Sequence, residues 1–267
     1  MNATLLRRAI RLQRRALLGW SIALALLTLL TLLSWPTIRD QAEDLQRVID
    51  RLPPAMKAFA GDVSDATTGP GFIRGRLFGF MLPLLFAAYA IGRGADAVAG
   101  EEERGTLDLV LAHPVSRLTL VLERTAAIGL CVLLLALPLA VLLLVGDVAF
   151  TLHLDRPRVL LTLFMLTLHT WALGSVALAV GCATGRKAYA IAAASGLAVA
   201  GFLLEGLANL SARLEGLRYA STFYYYGGGK TLTTWDPRLG IAVLALVTVL
   251  GLLVAVLAFE RRDVAVA

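Results

Sequence analysis

Residues 121–145, VLERTAAIGLCVLLLALPLAVLLLV, decide the fold class. Crossing about 30 Å of hydrocarbon takes about 20 mainly apolar residues in a helix, and this run supplies them without a turn signal. Five further stretches read the same way, at 16–35, 73–98, 158–182, 188–209 and 238–259. The second has the shortest apolar core. Leu77 to Ile91 rises only about 22 Å at 1.5 Å per residue, and Arg74, Arg76, Arg93 and Asp96 crowd its ends. It spans if those side chains snorkel and the helix runs on past the headgroups. The sequence thus predicts an all-α integral membrane protein with six transmembrane helices in one domain, 16–267, preceded by a basic stretch, 1–15.

Composition agrees. Of 267 residues, 58% are apolar and 16% charged, and mean hydropathy is +0.76; soluble chains run nearer one half and one quarter. The net charge of +6 belongs to membrane flanks, which excludes a nucleic-acid partner and makes membrane lipid the surroundings. Cys131 and Cys182 lie inside apolar runs, where they read as small buried residues and not as a disulfide or metal framework.

Arg7, Arg8, Arg11, Arg14 and Arg15 precede the first span, interleaved with Leu5, Leu6, Ile10, Leu12 and Leu17, a pattern that suits an interfacial helix over anionic headgroups. The run Ala16 to Trp35 is too long for a signal-peptide core, so it reads as a retained span. Six spans put both termini on one side, and the arginines name that side the cytoplasm of the inner (plasma) membrane. Lys and Arg divide about evenly between the two sides otherwise, so the arginines carry the orientation. In the first outer loop, 36–72, Ile38, Leu45, Val48, Ile49 and Leu52 recur at helical spacing, which predicts an amphipathic helix ending at Pro53-Pro54. A second outer loop covers 210–237.

The cytoplasmic segment 99–120 contains GEEERGTLDLVLAHPVSR, residues 100–117. Glu101, Glu102 and Glu103 lead to Arg104 and Gly105, which break the incoming helix. Thr106 is placed to cap a short helix with Leu107, Val110 and Leu111 on one face. His113-Pro114 ends it, because the residue before proline leaves the α region. Ser116 then caps the helix that begins at Arg117. Two readings stand for this segment. Either the acids keep a solvated loop out of the membrane, or the small apolar face docks into a cytoplasmic subunit.

The stretch Ala99 to Arg117, with Gly105-Thr106-Leu107 and Pro114-Val115-Ser116-Arg117, resembles the coupling region of ABC-2 type permease subunits of ATP-binding-cassette transporters. Leu52-Pro53 through Gly71, Ala90 to Ala95 and Leu217 to Tyr226 are similar to the same family. Ala220-Ser221-Thr222 departs from its frequent Leu-Ser-Pro turn. The resemblance implies two cytoplasmic ABC ATPase subunits as partners, and a homodimer or a homologous second permease. It implies contact with those ATPases through the N-terminal helix and through Glu101, Glu102, Glu103, Arg104, Gly105, Thr106, Leu107, Leu111, Pro114, Ser116 and Arg117, with a lesser contact at Thr184 to Ala188. ATP and Mg would be bound by the partner, with no cofactor on this chain, and the complex would be an exporter.

Gly227-Gly228-Gly229-Lys230-Thr231 looks like a phosphate loop, but that pattern needs glycine where Tyr224 stands. The segment reads as a turn after Phe223, Tyr224, Tyr225 and Tyr226, aromatics suited to the headgroup level. His169 and Glu205 lie inside spans, where an ionisable group either faces a substrate path or satisfies a neighbouring helix. No nucleophile, base and orienter come together, and no metal set is spelled out. Gly71, Gly75 and Gly79, and the small residues Ala192 to Gly196, predict close helix approach. Two other classes stay open: a membrane enzyme acting on lipid-linked substrate through Glu205, and an envelope regulator that uses an ABC ATPase without transport.

Overall fold

In hydrocarbon each backbone polar group must bond within its own segment, so apolar runs of this length fold as helices. The computed structural model describes residues 3–51, 53, 65, 67–107, 116–210, 212–233 and 235–262. Six helices in it are long and apolar enough to cross a membrane: Arg14–Asp40, Gly69–Glu103, Arg117–Phe150, Arg156–Thr184, Lys187–Ala208 and Arg238–Arg261. We number them spans one to six. By parity, odd spans start and even spans end on the face that carries the chain termini, here the termini face; the other is the far face.

The spans fall where hydropathy puts them, with longer ends. Span two, whose apolar core is short, runs for 35 residues. Two wide π-helical stretches, Arg74–Met81 and Asp96–Gly100, flank its α-helical middle, Leu82–Ala95. At 1.5 Å per residue spans two and three each measure about 50 Å, well beyond the hydrocarbon layer. Their charged ends therefore sit outside the apolar zone.

Span one is the end of a single helix, Ala3–Asp40. From Ala3 on, the basic stretch read as an interfacial helix, 1–15, runs into span one without a break. The helix also carries Pro36 inside it, so the first far-face loop starts later than position 36. The helix Ala42–Arg51 follows and stops short of Pro53, as the spacing predicts.

Span four is the hub. Of its most apolar eighteen residues 78% are buried, against 22% in spans five and six. Glycine lets its neighbours close on it. A Cβ on Gly94 of span two would lie 2.1 Å from the Gly174 carbonyl oxygen, and one on Gly251 of span six 2.7 Å from Ser175 Oγ. Trp171 reaches span three, where its indole N–H donates to the Thr125 carbonyl at 2.9 Å. Among the described residues, nothing lies within 4 Å of a Cβ placed on Gly75 or Gly196, and Gly79 meets only its own helix. Gly71 does pack tightly, against the backbone of Asp65. Leu26, Leu30, Val141, Val145, Leu246 and Leu253 point outward, as lipid-facing residues do.

Candidate functional site

The far face is closed by the chain between spans five and six. A 3-10 helix, Ala212–Ala220, leads to a short α-helix, Thr222–Tyr226, and a second 3-10 stretch, Gly227–Leu232. Ser221 caps the α-helix, accepting from Phe223 N–H at 3.0 Å, and its hydroxyl donates to the Gly201 carbonyl of span five at 2.7 Å. The serine thus keeps a capping function where the sequence departs from the family turn.

Phe223, Tyr224 and Tyr225 are half-buried, while Tyr226 and the glycines after it turn inward, which corrects the reading of a loose turn. Tyr226 has no exposed surface. Its hydroxyl donates to the Phe78 carbonyl of span two at 3.0 Å, and its ring stacks on His169, centroids 5.2 Å apart. Phe223 meets the other side of His169 edge-on at 4.6 Å. His169 is itself fully buried, so in this arrangement it packs. Thr231 bonds Thr162 of span four at 2.6 Å. Gly227, Gly228 and Gly229 have φ of 76°, 54° and 80°, left-handed values that favour glycine; a Cβ on Gly229 would lie 2.6 Å from Phe78 Cβ. The tri-glycine is a packed corner. Glu205 of span five faces Lys230 of the same segment at 3.9 Å. The structure ties both ionisable span residues to one segment, His169 by its ring and Glu205 by its charge.

On the termini face the acid cluster meets the ends of the other spans. Helix termini leave backbone donors and acceptors unpaired, and here other helices pair them. Glu103 Oε1 accepts the backbone N–H of Lys187, the first residue of span five, at 2.8 Å. Arg117 Nη1, at the start of span three, donates to the carbonyls of Phe259 at 2.6 Å and Arg262 at 2.7 Å, closing the end of span six. Its guanidinium also lies 5.2 Å from the Phe259 ring centroid. Arg262 Nη1 donates to the Cys182 carbonyl in the last turn of span four at 3.1 Å, and its Nη2 donates to the Glu102 carboxylate. Acids beside helix starts and guanidinium groups beside helix ends also match the helix dipoles.

Three more pairs complete a ring of charged groups around these helix ends. Arg124 Nη2 of span three donates to both oxygens of Glu101, at 2.7 and 2.8 Å. Asp96 Oδ1 accepts from Arg104 at 2.8 Å and from Lys187 Nζ at 2.9 Å. Gly100 leaves room for that carboxylate, since a Cβ there would lie 2.3 Å from Asp96 Oδ1. The bond to Asp96 pushes the Arg104 guanidinium further above its already high range, so that partner stays charged. A half-buried pair gains more from its attraction than an exposed one, and leaves a costly lone charge when broken.

Glu101, Glu102 and Glu103 thus clasp spans three, six and five. Gly105, at φ 65°, ends span two as predicted, and Ser116 caps span three, accepting from Thr119 N–H at 3.1 Å. The Thr106 hydroxyl donates back to the Glu101 carbonyl at 3.0 Å; the short helix predicted beyond Leu107 lies outside the described residues. Leu107 is 1% exposed within the chain. Leu111 and Pro114 lie outside the described residues. Arg104, Gly105, Thr106 and Ser116 are exposed. The sequence reading missed Asp96, Arg124 and Arg262 as members of this site: Asp96 and Arg262 passed for span-flanking charges, and Arg124 lies inside an apolar run.

Fold and site define a multi-pass helical membrane protein whose helix ends are tied to one acid-led segment. The model of the ABC-2 family transporter proteins matches residues 9–264, and the chain belongs to that family. No curated protein matches it closely enough to add a relative. The family is one of permease subunits rather than enzymes, and membership implies an ABC ATPase as partner.

Proposed function

We propose that this chain is the permease subunit of an ATP-driven exporter, and that its termini face is cytoplasmic and docks the ATPase there. The observation that carries the reading is the ring itself. A partner pressing on Arg104, Gly105, Thr106 and Ser116 would push a segment whose acids are bonded to the ends of spans three, five and six. Such a push biases the packing of the whole bundle, which is how a rigid element converts a local contact into a change of state. Two ATPases, holding ATP and Mg, would act on two permease copies or on this chain and a homologous one in the plasma (inner) membrane. His169 and Glu205 would reach a path through movement of the segment between spans five and six.

Co-expression with a candidate ABC ATPase tests the docking. The ATPase is expected to co-purify, and Arg104→Glu with Thr106→Glu to abolish that, whereas Ser221→Ala, on the far face, keeps it. An ATPase that never co-purifies, or that stays bound to the double variant, refutes the reading.

A further inference from the structure

Arg262 lies just beyond span six, where the sequence offers it only as one of two basic flanking residues. Its guanidinium bridges two helix ends, joining the Glu102 carboxylate of span two to the Cys182 carbonyl of span four. The turn after span four is shaped to receive it: Gly185 has φ 66°, and a Cβ there would lie 2.1 Å from Arg262 Nη2. The Arg262 carbonyl in turn accepts from Arg117 of span three. One residue therefore meets four spans: its own, and the ends of spans two, three and four. Only Gly185 serves the seat, since any side chain would occupy the place of the guanidinium and strain the left-handed turn.

We propose that Arg262 is a latch, a positioning residue that makes the segment Glu101–Thr106 and the ends of spans four and six move as one body when the ATPase acts. The proposal rests on the permease reading for its motion, and on the chain alone for its geometry. Without the guanidinium the segment keeps its bonds to spans three and five but loses its hold on span four. A push then displaces the segment and leaves the hub behind.

Hydrogen exchange of the full chain in lipid nanodiscs reads the latch without any ATPase. The reporters are the amides of Gly105, Thr106, Gly185 and Lys187, each hydrogen-bonded in this region. Loss of a charge-assisted bond should speed their exchange about tenfold in Arg262→Ala. Gly185→Ala, which evicts the guanidinium, should do the same, and the far-face amides of Phe223 and Tyr224 should not change. Arg262→Lys keeps the charge but not the two-way fork, so it should fall between; it also serves if Arg262→Ala fails to fold. Unchanged reporters, or equal acceleration on the far face, overturn the latch. In the complex, maleimide labelling of Thr184→Cys should respond to ATP, and Arg262→Ala should abolish the response with the ATPase still bound. A response that survives Arg262→Ala overturns the mechanical role. Failure of the wild-type chain to bind the ATPase would refute the permease reading and leave the exchange result standing.

Discussion

The two faces of this bundle are held by different physics. On the termini face, charged side chains from one helix finish the end of another, through Glu103 at span five, Arg117 at span six and Arg262 at span four. On the far face, backbone meets backbone or ring: Gly69 lies under the Leu152 carbonyl, Gly240 under that of Tyr225, and Tyr226 against His169. Close packing has a steep repulsive wall and little tolerance. Ion pairs weaken gradually with distance, so they can part and re-form without loss of the fold. A protein that must yield at one end and hold at the other would be built in this way.

Breaking the far face should cost most. A methyl added by Gly69→Ala or Gly240→Ala would stand about 2 Å from a carbonyl oxygen, and overpacking of that kind costs about 3 kcal/mol or more. Thermal unfolding in detergent should show either variant melting well below the parent. Glu102→Ala comes next, leaving Arg262 half-buried without its carboxylate; a loss of about 2 kcal/mol is expected, and melting with and without Arg262→Ala in the same chain isolates the pair. Raising salt from 0.1 to 1 M shortens the screening length from about 10 Å to about 3 Å. Amide exchange at Gly105 and Lys187 should accelerate with salt while that at Tyr224 stays constant; equal salt response on both faces would dissolve the contrast. Ser221→Ala should lower the melting point by about 1 kcal/mol of stability through its lost cap. The smallest effect belongs to Gly196→Ala. No described residue lies within 4 Å of a Cβ there, so the variant should match the parent or gain up to about 1 kcal/mol from helix propensity.

How legible these two faces are in the sequence follows from the same difference. Spans are written in hydropathy because burying or exposing a long apolar run leaves one solution in a bilayer, and even the short apolar core of span two is placed correctly. The breaks at Gly105 and Ser116 are local chemistry and can be read locally. Pairings are not. Nothing near Glu102 in sequence points to Arg262, 160 positions away, and Arg124 is hidden in an apolar run. The acid triplet was the available hint: three carboxylates at a span end require three donors, and the other basic flanks supply them. Leu107 shows the limit, because one apolar residue at helical spacing looks alike whether it awaits a partner or fills its own core. Gly75 and Gly196 show it too, since regular spacing of small residues does not say which helix, of this copy or another, comes close. The contacts at Gly94 and Gly174 depend on the arrangement of spans two and four, which no local pattern contains.

The position of Arg262 has a consequence for biogenesis. Spans leave the insertion machinery in order, and the ends of spans two and four wait for a residue made after span six. Until then Glu102 is a carboxylate without its cation and the last turn of span four lacks its outside donor. Among the six described spans, the sixth therefore brings the residue on which the ends of spans two and four close.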